Sequence, residues 1–147
     1  MEFRFRLARV LKVKGIWEEQ AKLKLAAAVA VREREERLLD QKATCWHLTW
    51  TDLTGTGLRE GREIAGQYLL ARLAKGDYER QTTRVQEARH KFATQQQEFL
   101  QRRADRQVLS QLEEKRRAQY ILETQRTDRA QLDEVASLFH LKRQRRV

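Results

Sequence analysis

Six apolar residues, Ile64, Ala71, Tyr78, Val85, Phe92 and Phe99, stand seven apart without a slip. An apolar interval of seven keeps one stripe of an α-helix facing a partner helix and winds the pair left-handed. The 147-residue chain contains no proline, so nothing removes a backbone donor from a helix interior. These two features predict an all-α fold, a long antiparallel two-helix coiled coil forming one elongated helical hairpin over 1–147. Helix one is expected at about 5–53, the turn at about 54–58 and helix two at about 59–141, with a basic tail at 142–147. Charged residues make up 35 % of the chain and aromatics 7 %, and mean hydropathy is -0.82. So little apolar surface cannot close a wide core, whereas the abundant Ala, Leu, Gln, Glu and Arg all favour helix.

In helix one, Leu7, Leu11, Ala21, Leu25, Ala28, Leu39 and Trp46 recur at helical steps, and Arg32 and Glu35 interrupt them. In helix two the second stripe is mostly polar. A later register is expected to resume with Val108, Leu112, Leu122, Leu132, Val135 and Phe139. The one break is "TDLTGTG", where Thr51, Asp52 and Thr54 compete for backbone hydrogen bonds. Gly55 and Gly57 there permit left-handed angles. A tight hairpin about this turn pairs Phe5 with a residue near 105. The last three or four dozen residues are then left without an internal partner, and a lone polar helix is costly to order.

Several function classes are excluded or weakened. The longest apolar run, "LAAAVAV" at 25–31, is far short of the roughly 20 residues of a membrane span. The N-terminus lacks the apolar core of a signal peptide. The single cysteine, Cys45, rules out an internal disulfide framework and fits a reducing cytosol. Cys45 and His47 point about 200° apart on a helix, a poor start for a shared metal ion or a nucleophile–base pair. "GTGLREG" lacks the lysine and hydroxyl of a phosphate loop. Glu113, Glu114 and Glu123 sit on a water-exposed helix, with no burial to raise a pKa for acid work. Catalysis, metal and cofactor are therefore not expected.

Net charge is +10, which favours acidic partners, but the cations are interleaved with acids as on solvated helix faces. Zinc-finger spacing and a recognition-helix unit are missing, and the densest basic run, "HLKRQRRV", follows every heptad instead of preceding them. The start, "FRFRLARVLKVKG", has two readings. It is a basic amphipathic segment able to lie on a membrane, or Phe3, Phe5, Leu7 and Leu11 pack on the other arm. Trp46 and Trp50, four apart on one face near the turn, likewise either fill the hairpin tip or anchor a partner.

"MEFRFRLARVLKVKGIWEEQAKLKLAAA" resembles the start of the flagellar FliJ family, with a Phe-x-Phe opening, a leucine helix, a small basic stretch and then "EEQAKLxLA". "LEEKRRAQYILETQRTDRAQLDEVASLF" at 112–139 is similar to the family's C-terminal signature. It has a central aromatic, Tyr120, and then Leu132, Asp133, Glu134, Ala136 and Phe139. The middle, "GQYLLARLAKGDYERQ", matches more loosely.

The resemblance implies a cytoplasmic, non-enzymatic component of the flagellar type III export apparatus, peripheral to the inner membrane. Its antiparallel coiled coil would look like the rotor stalk of rotary ATPases. Implied partners are the hexameric export ATPase, the cytoplasmic domain of the export gate and the export chaperones. By position, Trp46, Trp50, Leu39, Leu69 and Leu73 fall in the gate-binding region. The ends would enter the ATPase ring through Phe5, Leu7, Leu11, Arg126, Arg129, Leu132, Asp133, Glu134, Phe139, Lys142 and Arg143. Tryptophan in place of tyrosine, and glycine at 76, are departures from the family pattern. The equivalent stalk of a virulence injectisome shares the same physics, and a basic coiled coil that binds nucleic acid is the reading from another class.

Overall fold

The computed structural model describes the backbone of residues 3–55 and 57–144, and their side chains except at 139 and 141–144. Two helices, α1 (Ala8–Thr54) and α2 (Gly61–Gln144), pack against each other as an all-α helical hairpin. No strand occurs among the described residues. Contacts divide the chain into a loop-side unit, Trp17–Arg102, and a terminal unit formed by Met1–Ile16 with Arg103–Val147.

In the loop-side unit the pairing is antiparallel. Lys42 faces Asp77, Glu35 meets Gln81, Arg32 lies on Phe92 and Lys24 faces Glu98. The fully covered residues are Ala21, Ala71, Gln81, Val85 and Ala88, with Val85 only 2 % exposed. All of them fall on one heptad frame. On α2, Ala71, Tyr78, Val85, Phe92 and Phe99 form one stripe. Ala74, Gln81, Ala88, Gln95 and Arg102 form the second, and every member of both is buried or half-buried. On α1, the corresponding frame runs through Glu18, Leu25, Arg32, Leu39 and Trp46, with Ala21, Ala28, Glu35 and Lys42 between them.

Arg32 and Glu35 therefore do not interrupt the seam of α1, as the hydropathy pattern predicts; they belong to it. The Arg32 guanidinium lies 4.3 Å from the centroid of the Phe92 ring, a cation–π contact that lets a charged head end against an aromatic face. Gln81 Nε2 donates to the Glu35 carboxylate at 2.5 Å and to its backbone carbonyl at 3.0 Å. The heptad frame sets alanines level with large residues, Ala21 with Phe99, Ala28 with Phe92 and Ala74 with Trp46. Small against large lets two helices close without a void.

Ile64 departs from the expected seam and is exposed. Asp77 lies about a turn further into α2 from Gly61 than Lys42 lies from the end of α1 at Thr54. The first turn of α2 thus has no α1 residue opposite it. The connection is also longer than the predicted turn and is built differently. No described residue has positive φ, so the glycines do not act through left-handed angles. Thr51 and Thr54 hydroxyls donate back to the carbonyls of His47 and Trp50 at 2.8 and 3.0 Å. Arg59 donates to the Asp52 carbonyl and to Gln67 Oε1. One guanidinium thus satisfies a carbonyl in the last turn of α1 and ties it to α2.

In the terminal unit, Lys14 Nζ and Asp105 pair at 2.7 Å, and the Phe3 and Tyr120 ring centroids lie 5.6 Å apart. Lys14, rather than Phe5, thus meets position 105. Helix α1 begins at Ala8 instead of about 5, after a turn in which the Ala8 N–H donates to the Phe5 carbonyl at 3.1 Å. Phe3 and Phe5 are half-buried while Arg4 between them is exposed. The seam on α2 continues through Leu109, Glu113 and Tyr120, which are half-buried. Of the register expected to resume at Val108, Leu112 lines a groove against the N-terminal arm, but Val108, Leu122, Leu132 and Val135 are exposed, Val108 at 65 % and Leu132 at 68 %. From Ile121 to Leu138 every side chain is exposed. α2 runs on to Gln144, so 142–144 of the expected tail are helical. Arg145 and Arg146 lie outside the described residues.

Candidate functional site

An open groove of about 1060 Å³ lies in the loop-side unit, lined on one side by Trp46 and Trp50 and on the other by Tyr68 and Tyr78. Helical spacing produces it: Trp46 occupies the seam and Trp50 follows one turn later on the same face. The Trp46 and Tyr78 rings stack at 5.2 Å with 29° between planes, an offset pair that fixes both. Trp50 has no such cover and is 51 % exposed. Gly76, also in the groove wall, would find no atom within 4 Å of an added Cβ. Glycine at 76 thus leaves the groove open and relieves no clash.

The two readings of the tryptophan pair therefore divide between the rings. Trp46 is a packing ring and Trp50 is an uncovered one. Of the accompanying positions, Leu69 and Leu73 are exposed on α2 outside the groove lining, and Leu39 is half-buried in the seam. Charge around the groove is mainly basic, from Arg72 and Lys75 against Glu79. Asp77, nearby, accepts from Arg80 and faces Lys42 at 3.5 Å. The Arg80 hydrogen bond first, and then the Lys42 charge, hold its carboxyl below the ordinary 3.8.

A second groove, about 750 Å³, lies in the terminal unit between the N-terminal arm and α2. Phe3, Phe5 and Leu7 face Leu112 and Tyr120 across it, with Arg4, Arg6 and Arg116 at the rim. The Arg117 guanidinium lies 5.8 Å from the Phe3 centroid. Of the residues implied for the ATPase, Phe5 and Leu7 line this groove, and Leu11 is half-buried in the seam. Arg126, Arg129, Leu132, Asp133 and Glu134 are exposed on α2 and do not line it. The side chains of Phe139, Lys142 and Arg143 lie outside those described.

Sequence reasoning missed Arg116 and Arg117 as flanks of this groove and Arg59 as the tie of the loop. The alternation of Phe3 and Phe5 was the available signal for the first. No local pattern marks Arg59. Among the described residues no group of three His, Cys, Asp or Glu side chains could hold a metal ion, and no helix is long and apolar enough to cross a membrane. No protein-family model matches this chain, and no curated protein or solved structure matches it either.

Proposed function

We propose that this chain is a non-catalytic stalk of the flagellar type III export apparatus. It binds the hexameric export ATPase, promotes its assembly and activity, and couples it to the cytoplasmic domain of the export gate, with a part in handling export chaperones. It acts in the cytoplasm, at the membrane-proximal base of the flagellum. The reading rests on the order of the FliJ-like segments along the sequence. The observation that supports it best is Trp50. A large rigid ring is held half out of the protein beside a groove floored by Trp46 and Tyr78, the arrangement expected of a binding anchor.

Capture of the purified chain by the flagellar export ATPase and by the gate's cytoplasmic domain tests this reading. Trp50→Ala should weaken gate binding while leaving ATPase binding intact. Capture only by an injectisome ATPase would move the protein to that system. Salt-dependent binding to random duplex, with no capture by either ATPase, would replace the reading with a nucleic-acid one.

A further inference from the structure

Leu7, just before α1, and the first turns of α1 carry apolar surface that the hairpin does not cover. Leu7, Val10, Val13 and Ile16 are between 38 and 50 % exposed, although Leu11 in the same stretch turns toward α2 and is half-buried. The electrostatics of this stretch are one-sided. From Phe3 to Trp17 there are five cations, Arg4, Arg6, Arg9, Lys12 and Lys14, and no acid. Lys14 is engaged with Asp105. Arg4, Arg6, Arg9 and Lys12 are exposed. On α2 of the same unit, Arg116 and Arg117 are exposed beside the arm, with Glu113 and Glu123 lining the same grooves. Further along α1 the pattern changes: Glu18, Glu19, Glu33, Glu35 and Glu36 accompany the cations.

From this juxtaposition we propose that the N-terminal end of α1 docks on an anionic phospholipid surface. The chemistry of both components fits. Exposed aliphatic side chains enter the boundary between headgroups and acyl chains, while the long stems of Arg6, Arg9 and Lys12 carry their charges back to lipid phosphates. The excess of cations over acids next to the membrane plane adds attraction to acidic headgroups. Val10, Val13 and Ile16 line neither of the grooves described above, so this surface presents no shaped pocket. A bilayer needs no shape complement. A single-stranded nucleic acid would stack its bases on exposed rings; the exposed ring of this stretch, Trp17, has the Arg102 guanidinium 5.2 Å from its centroid, and Val10, Val13 and Ile16 are aliphatic. Docking is peripheral, since neither helix can span a bilayer.

Flotation of the full chain with phosphatidylglycerol–phosphatidylcholine vesicles, compared with phosphatidylcholine alone, tests the proposal. Binding should require the anionic lipid and fall as salt rises. Val10→Ala with Val13→Ala, a change that keeps helix propensity, should weaken binding on the order of fivefold or more. Arg6→Gln, Arg9→Gln and Lys12→Gln together should weaken it on the order of tenfold or more. Circular dichroism checks that both variants stay helical. Flotation unaffected by the valine changes would mean adsorption of a cationic protein by charge alone, and the proposal would be wrong. Absence of flotation with anionic vesicles, or tighter binding to a single-stranded oligonucleotide than to vesicles, also overturns it. The inference does not rest on the export-stalk reading: the assay contains no ATPase and no gate, and Trp50→Ala should float like the unaltered chain.

Discussion

The two tryptophans show how far environment separates identical side chains. Trp46 is stacked on Tyr78 and half-buried, so Trp46→Ala removes packing and should cost about 2–3 kcal/mol of stability, below the 3–5 of a fully buried ring. Trp50→Ala should change stability by no more than about 0.5 kcal/mol, and cost about 2 kcal/mol in gate affinity. Chemical denaturation of each variant, set beside a binding titration, reads both effects. Equal loss of stability in the two would mean Trp50 is also core. Asp77 supplies a pH test. Its carboxyl is depressed by the Arg80 hydrogen bond and then by the Lys42 charge, so what it contributes is present above its ordinary pKa and lost as pH falls through the lowered one. The melting difference between Asp77→Asn and the unaltered chain should be constant above about pH 5 and shrink on acidification. A difference that grew toward low pH would contradict the assignment.

At the scale of the element, α2 changes character along its length. Between Ala71 and Phe99 its heptad positions are covered, whereas from Ile121 to Leu138 every side chain is exposed. Helical stability in proteins comes chiefly from packing an apolar face, so these stretches should differ in local stability. Amide hydrogen exchange should be faster at 121–138 than at 78–99, on the order of a hundredfold or more. Uniform protection along α2 would point to an unrecognised partner for the second stretch, such as another copy of the chain. The covered stretch is itself unusual. Arg32 Nε and Gln95 Oε1 are buried without a hydrogen-bond partner among the described atoms. Polar groups at seam positions lower stability but favour one register over its neighbours.

For the whole molecule, the proposed stalk should meet its ATPase through charge as well as shape. Removal of 141–147, which takes out Lys142, Arg143, Arg145 and Arg146, is expected to lower stimulation of ATP hydrolysis by the export ATPase. Stimulation by the intact chain should itself weaken as salt rises. A steady-state hydrolysis assay over a salt series checks both. Undiminished stimulation by the shortened chain would assign the contact to residues before 141.

Sequence alone determined the helical class, the hairpin and the position of the break. A seven-residue ladder and the lack of proline are local properties that act wherever the chain goes. Half of the seam was equally legible, since Ala71, Val85 and Phe92 carry their apolar character with them. Tertiary structure decided what depends on the opposite helix. Arg32 and Glu35 read as interruptions until Phe92 and Gln81 are set beside them. Val108 and Leu132 read as seam until the frame through Arg106, Leu109 and Glu113 leaves them outside. Register was undecidable from the turn alone, because Arg59 and an unopposed first turn of α2 set where pairing begins. The separation of Trp46 from Trp50 has the same origin. Their spacing puts both on one face, but only the position of Tyr78 on the other helix determines which ring is covered.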